Sequence, residues 1–247
     1  MPFAEINGAG HHWIDQGAGE VVLLLHGAAQ TNASLALHIA GLSETHRVIA
    51  PDLRSMGKSE HVASMSPSAW IDDAVALLEH LGVEQAHIYG VSLGARIGLR
   101  LAIDYPQKVK SLILERPIIA MRADTNAQLN TNINSGAKLT PQEEAAREAQ
   151  HGADWRTVLA NYSAIRNQPE LQAHLDLREL SKSVTIPTLI LRGDEREVVH
   201  PIEHCLELYQ NIPGSWLWIR ANTKGALAAA APEEFFPTLR AHMARAA

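Results

Sequence analysis

At 247 residues the chain is long enough for one large α/β domain with a well-filled core, and short for two independent ones. Its formal net charge of −6 is spread without a basic run, which argues against nucleic-acid and anionic-membrane partners. A single cysteine, Cys205, excludes an internal disulfide, no apolar run approaches the ~20 residues of a membrane span, and Met1-Pro2-Phe3-Ala4-Glu5 lacks the apolar core of a leader. The expectation is a soluble protein of the reducing cytoplasm.

The first twenty residues, punctuated by glycines, predict an antiparallel hairpin at a sheet edge. Val21-Val22-Leu23-Leu24-Leu25 is a continuous apolar run of the kind buried on both faces of a sheet. It ends in His26-Gly27-Ala28-Ala29, ahead of a helix over 34–42, and Arg47-Val48-Ile49-Ala50 is the next buried strand. A turn-rich loop follows, and then a helix opening near Pro67, with Ser66 as its N-cap, that carries Trp70, Ile71, Ala74, Leu77, Leu78 and Leu81 at helical spacing.

Ala86-His87-Ile88-Tyr89 leads into Gly90-Val91-Ser92-Leu93-Gly94, and a helical pattern starts at Ala95. Strand, G-x-S-x-G and helix in that order make a turn so tight that its serine backbone is strained, and flanking glycines let strand and helix pass without a Cβ between them. The hydroxyl of Ser92 is then presented at the carboxyl edge of a sheet as a nucleophile. Ser111-Leu112-Ile113-Leu114 is the following strand.

The β–α–β–α alternation implies a parallel sheet wound on both sides. It pauses over 116–183, which opens with an Asn- and Thr-rich polar stretch from Asp124 to Ser135 and continues with helical patterns at 141–150, 154–167 and 169–180. The alternation resumes with a strand at 187–191, a helix at 202–210, a strand at 216–219 and a closing helix from Pro232. The organisation expected is an α/β core from 1–115 and 184–247 with a helical lid inserted at 116–183.

These residues resemble the α/β-hydrolase family over nearly the whole chain. The likeness rests on Gly90-Val91-Ser92-Leu93-Gly94, His26-Gly27, and Pro51-Asp52-Leu53-Arg54 with Gly57 and Ser59. It extends to Tyr105-Pro106-Gln107-Lys108-Val109 and Pro232-Glu233-Glu234-Phe235. The pattern is most like the lidded group of small esterases, enol-lactonases, C–C hydrolases and cofactor-free haloperoxidases. The resemblance implies an α/β-hydrolase fold, Ser92 as nucleophile, and an oxyanion hole from the backbone N–H groups of Ala28 and Leu93. It also implies structural roles for His26, Asp52 and Arg54, no cofactor and no metal, and a small, largely apolar ester or lactone as substrate.

In such a family a histidine oriented by a carboxylate activates the serine, in the chain order Ser, acid, His. Counting forward from Gly193 places Arg196 at the acid position, while counting back from Pro201 places Glu197 there. Glu115, at the end of the strand before the lid, is a second candidate; a solvated charged loop over 194–197 and a salt-bridged hinge at Glu115-Arg116 are the bland alternatives. The histidine is expected after the strand ending at Ile219, but the counts land on Lys224 and Gly225, and no histidine lies between His204 and His242.

Lys224 would serve as a base only if its surroundings removed about 4 kcal/mol of a lysine's preference for the charged form at neutral pH. The alternatives are a surface lysine in a turn, or His200 or His204 approaching from the preceding loop. The sequence thus predicts a hydrolase with a non-standard triad, or else a binding protein that has dropped the chemistry, or a lyase or cyclase using the same pocket.

Overall fold

The computed structural model describes residues 2–134 and 139–246. Eight strands form one sheet in the order β1-β2-β4-β3-β5-β6-β7-β8. β1 (Phe3–Ile6) and β2 (Ala9–Gln16) make the expected hairpin, and β2 runs antiparallel to β4 (Arg47–Pro51). The other neighbours are parallel: β3 (Val21–Leu25), β5 (Ala86–Val91), β6 (Val109–Glu115), β7 (Thr188–Gly193) and β8 (Trp216–Arg220).

Alternation along each strand divides the core between two faces. Val22 and Leu24 of β3, with Val48, Tyr89, Ile113 and Leu191 of β4, β5, β6 and β7, pack with α1 (Ala36–Leu42) and α9 (Pro232–Met243) through Ile39, Leu42, Phe235 and Leu239. Leu23 and Leu25, with Ile49, Ile88, Leu112 and Ile190, pack with α2 (Ala69–His80), α3 (Leu93–Asp104) and α8 (Ile202–Asn211) through Trp70, Leu77, Ile97, Leu101 and Leu208. Each fully buried side chain of this kind contributes roughly 1.5–3 kcal/mol, so the continuous apolar runs are what commit the strands to the centre of the sheet.

Between β6 and β7 lie α4 (Ala123–Asn134), α5 (Pro141–His151), α6 (Trp155–Arg166) and α7 (Pro169–His174). The polar stretch from Asp124 therefore forms a helix of its own, while Ser135 lies outside the described residues. Its asparagines are ligands: Arg166 of α6 donates to Asn126 Oδ1 at 2.7 Å and to Asn130 Oδ1 at 2.5 Å. Leu129 and Ile133 pack against the core, but two apolar residues among so many polar ones make a faint period, and hydrogen bonds to a buried guanidinium do the rest of the docking. α5 begins with a capping box in which Thr140 and Glu143 satisfy each other's backbone N–H groups.

No helix among the described residues is long and apolar enough to cross a membrane.

Burial holds several histidines below the ordinary imidazole range, His11, His26, His87 and His151 among them, and lowers His204 and His242 to about 4. The unfolded chain binds those protons near pH 6.5 and the folded chain does not. Stability is therefore full above pH 6.5 and is lost as pH falls from 6.5 towards 4. Thermal melts across that range should show a falling Tm, with a shallower slope in His242→Gln; a Tm independent of pH there would contradict the burial of neutral imidazoles.

Candidate active site

The order β4-β3-β5 reverses direction between β3 and β5, which opens a crevice at their carboxyl ends. Ser92 stands there, between β5 and α3, with φ 55° and ψ −107°. Its strain follows from how closely the surrounding backbone packs. A Cβ on Gly94 would lie 2.0 Å from the carbonyl oxygen of Leu25, and one on Gly90 would lie 2.2 Å from the carbonyl oxygen of Gly94. Ser92 N–H donates to the carbonyl of Glu115 at 3.0 Å, pinning the turn to β6.

Facing Ser92 is the loop after β3. His26 is fully buried; its Nδ1–H donates to the carbonyl of Gly27 at 2.8 Å and its Nε2 accepts the N–H of Leu53 at 3.0 Å. Those bonds fix the loop in which Ala29 adopts a left-handed φ of 53°. His151, at the end of α5, accepts the N–H of Gly57 at 3.0 Å and points Nε2 at the carbonyl of Ala29 at 3.4 Å, tying the helical insertion to the same loop. Leu93 is the first residue of α3, where N–H groups have no intrahelical acceptor. Ala28 and Ser92 both line the cavities described below.

The side chain that meets Ser92 comes from the loop between β7 and α8. His200 Nε2 lies 2.9 Å from Ser92 Oγ, and His200 Nδ1 lies 2.8 Å from Glu197 Oε1. Burial alone would raise the Glu197 carboxyl; the hydrogen bond and charge of His200, with Arg116 and Arg192 nearby, outweigh it and hold the group below the usual carboxylate range. A carboxylate on Nδ1 leaves Nε2 free to accept the serine proton, the arrangement that turns a weak hydroxyl into a nucleophile.

The other sequence candidates lie elsewhere. Glu115 is buried beneath the turn, where its carboxylate accepts from Tyr89 Oη, from His38 Nε2 at 3.4 Å and from the N–H of Leu227 at 3.3 Å. It lines neither cavity at Ser92. Burial would raise its carboxyl, but His38 and Tyr89 hold it low, while burial, aided by that carboxylate, drives the Tyr89 phenol well above its ordinary range. Lys224 is exposed on the loop after β8 and also lines neither cavity.

That loop instead offers its backbone to the His200 segment: Asp194 accepts the N–H of Thr223 at 3.1 Å, and Glu195 accepts the N–H of Gly225 at 3.1 Å. The count back from Pro201 carries the signal for Glu197, and His200 is the residue immediately before that proline.

Two cavities meet at Ser92. The outer one, about 460 Å³, is lined by His200 and Glu197 and by polar side chains including Gln30, Asn132, Arg147 and Gln150. The inner one, about 20 Å³, is walled by Trp70, Leu93, Ile118, Met121, Tyr162 and Leu171, with Arg96 and Arg166 also at its wall. Burial lowers Arg96 to about 10. Among the described residues no group of three or more His, Cys, Asp or Glu side chains is arranged to hold a metal ion.

Comparison with known proteins agrees with this fold. Residues 20–130 match the family described as alpha/beta hydrolase fold. A 2-hydroxymuconate semialdehyde hydrolase of Pseudomonas putida is 37% identical, over 83% of this chain and 80% of its own. Among solved structures, a meta-cleavage product hydrolase from Pseudomonas fluorescens superposes with a TM-score of 0.81 at 22% identity, covering 100% of this chain and 98% of that one. The enol-lactonase of Burkholderia xenovorans gives 0.73 at 17%, covering 98% and 100%.

A fluorophosphonate should label Ser92 stoichiometrically. His200→Ala should slow labelling by ~10³ or more, whereas Lys224→Ala should leave it unchanged. Mass spectrometry of the modified peptide reads the site, and slowed labelling in Lys224→Ala with normal labelling in His200→Ala would reverse the assignment.

Proposed function

The chain belongs to the α/β-hydrolase fold family, and we propose that it is a serine hydrolase whose nucleophile, base and acid are Ser92, His200 and Glu197. The observation that carries this reading is the unbroken hydrogen-bond path from Ser92 Oγ through His200 to Glu197. Ser92 Oγ attacks a substrate carbonyl while His200 Nε2 takes its proton. The N–H groups of Ala28 and Leu93 hold the oxyanion of the tetrahedral intermediate. His200 then returns the proton to the leaving group, and water, deprotonated in turn by His200, hydrolyses the acyl-serine.

The two cavities orient the substrate. His200 lines only the outer one, so the leaving group that it protonates belongs there, among polar side chains. The acyl portion turns inward, where about 20 Å³ admits little more than a methyl group or one water. The substrate class is therefore a small ester or lactone with a short acyl side and a polar leaving side. The helices over 116–183 act as a lid, because α4 and α5 supply Asn132, Arg147 and Gln150 to the outer wall. A lone, buried Cys205 suits a reducing cytoplasm.

The 37%-identical relative is named for a semialdehyde, which supports a second reading: Ser92 attacks the carbonyl of an aldehyde or ketone, the adjacent C–C bond breaks with its electron pair passing into a conjugated leaving fragment, and His200 returns the proton to that fragment.

Turnover of p-nitrophenyl acetate, p-nitrophenyl octanoate and 2-hydroxymuconate semialdehyde by the protein and by Ser92→Ala tests these assignments. The acetate should be hydrolysed at least ~100-fold faster than the octanoate, and Ser92→Ala should lose ~10⁴ or more in kcat on either good substrate. Semialdehyde turnover far above that of the acetate selects the C–C reading. A folded protein that neither turns over any of the three nor reacts with a fluorophosphonate is a binding protein, and the hydrolase reading fails.

A further inference from the structure

Glu197 and His200 both sit in the segment between β7 and α8, which has no helical or strand bonds of its own. Side chains on such a segment hold a reacting geometry only if the backbone beneath them is tied. Arg192, the penultimate residue of β7, does the tying. Its side chain is turned back under the loop and the residue is 1% exposed. Nε donates to the carbonyl of Gly193 at 2.6 Å, Nη2 to the carbonyl of Glu195, and Nη1 to the carbonyl of His200.

We propose that Arg192 is the positioning residue of the site: its guanidinium clamps the backbone on both sides of Glu197 and so sets His200 at bonding distance from Ser92. The inference rests on the Ser92–His200–Glu197 reading.

The clamp has a shape that only arginine supplies. A planar guanidinium presents several N–H donors in fixed directions, so it holds three carbonyls at fixed separations from one another; a lysine ammonium offers a single mobile point of attachment. Three carbonyls accept the N–H groups of Arg192, and the Glu197 and Asp194 carboxylates lie near enough to feel its buried charge. A charge kept in the interior at that cost is explained by the three bonds it makes. On the far side the same loop is braced by Asp194 and Glu195 on the N–H groups of Thr223 and Gly225. The segment is held from below by a donor and from the side by acceptors.

Arg192→Met and Arg192→Lys, assayed on p-nitrophenyl acetate per active site titrated with a fluorophosphonate, test the clamp. A displaced His200 lowers kcat by about 100-fold in Arg192→Met and by about tenfold in Arg192→Lys, with KM within about threefold of wild type. A role confined to stability would lower Tm and the fraction of folded protein but not kcat per titrated site. A kcat per site within about twofold of wild type in either folded variant overturns the proposal. Arg192→Lys, which keeps the buried charge and most of the stem, carries the test if Arg192→Met does not fold. Wild-type labelling at Ser92 separates the two readings: its absence sinks the hydrolase assignment, whereas normal labelling with unaffected Arg192 variants sinks the clamp alone.

Discussion

The approach of α3 to β3 governs the rest of the molecule. Gly94 lies so close to the carbonyl of Leu25 that no side chain fits between them, and this contact forces the chain through a left-handed serine at position 92. A positive φ at a non-glycine residue costs on the order of 1–3 kcal/mol, so it persists only where the surroundings over-determine it. Here they do: β5 is buried on both faces, Ser92 N–H is held by the carbonyl of Glu115, and Glu115 is itself locked by Tyr89, His38 and Leu227. The buried carboxylate beneath the turn is thus part of its foundation. Tyr89 and Glu115 are joined to the turn through backbone and packing, with no need for either to reach the solvent.

Against that fixed hydroxyl, the partners come from one place. In the pattern that the sequence resembles, acid and base arrive on different loops; here the imidazole that meets Ser92 and the carboxylate that meets that imidazole both lie between β7 and α8, and the loop after β8 serves as a wall whose N–H groups are taken by Asp194 and Glu195. Charged residues that look like a solvated run are divided by what they touch. Two fasten the loop to its neighbour, Glu197 faces the imidazole, and Arg196 points to solvent. The helical insertion completes the enclosure and is joined to the loop after β3 by His151.

The sheet and the elbow were legible because each is written in local pattern: apolar runs and glycines at fixed offsets. The helix α4 was not legible, because its asparagines dock on Arg166 from α6, a partner distant in sequence. Counting back from Pro201 reaches Glu197, whereas Lys224 stands out only because it occupies the position where the resemblance implies a histidine. The proximity of His200 to Ser92 depends on the path of an irregular loop and on the buried Arg192 beneath it, and no period or spacing encodes such a path. Glu115 announced itself as an acid at a strand end; its partners Tyr89 and His38 come from β5 and α1 and become visible only when the sheet is assembled.

Because Glu197 and His200 are three positions apart on one loop, their mutual distance is set mainly by that loop and hardly at all by the relation between strands. The site therefore has a single adjustable joint, between His200 and Ser92. A shift of the loop relative to the elbow changes that one separation and leaves the carboxylate–imidazole pair intact. Mechanically, the pair behaves as one rigid jaw closing on a fixed anvil, and the accuracy of the whole machine reduces to the seating of one short segment of chain.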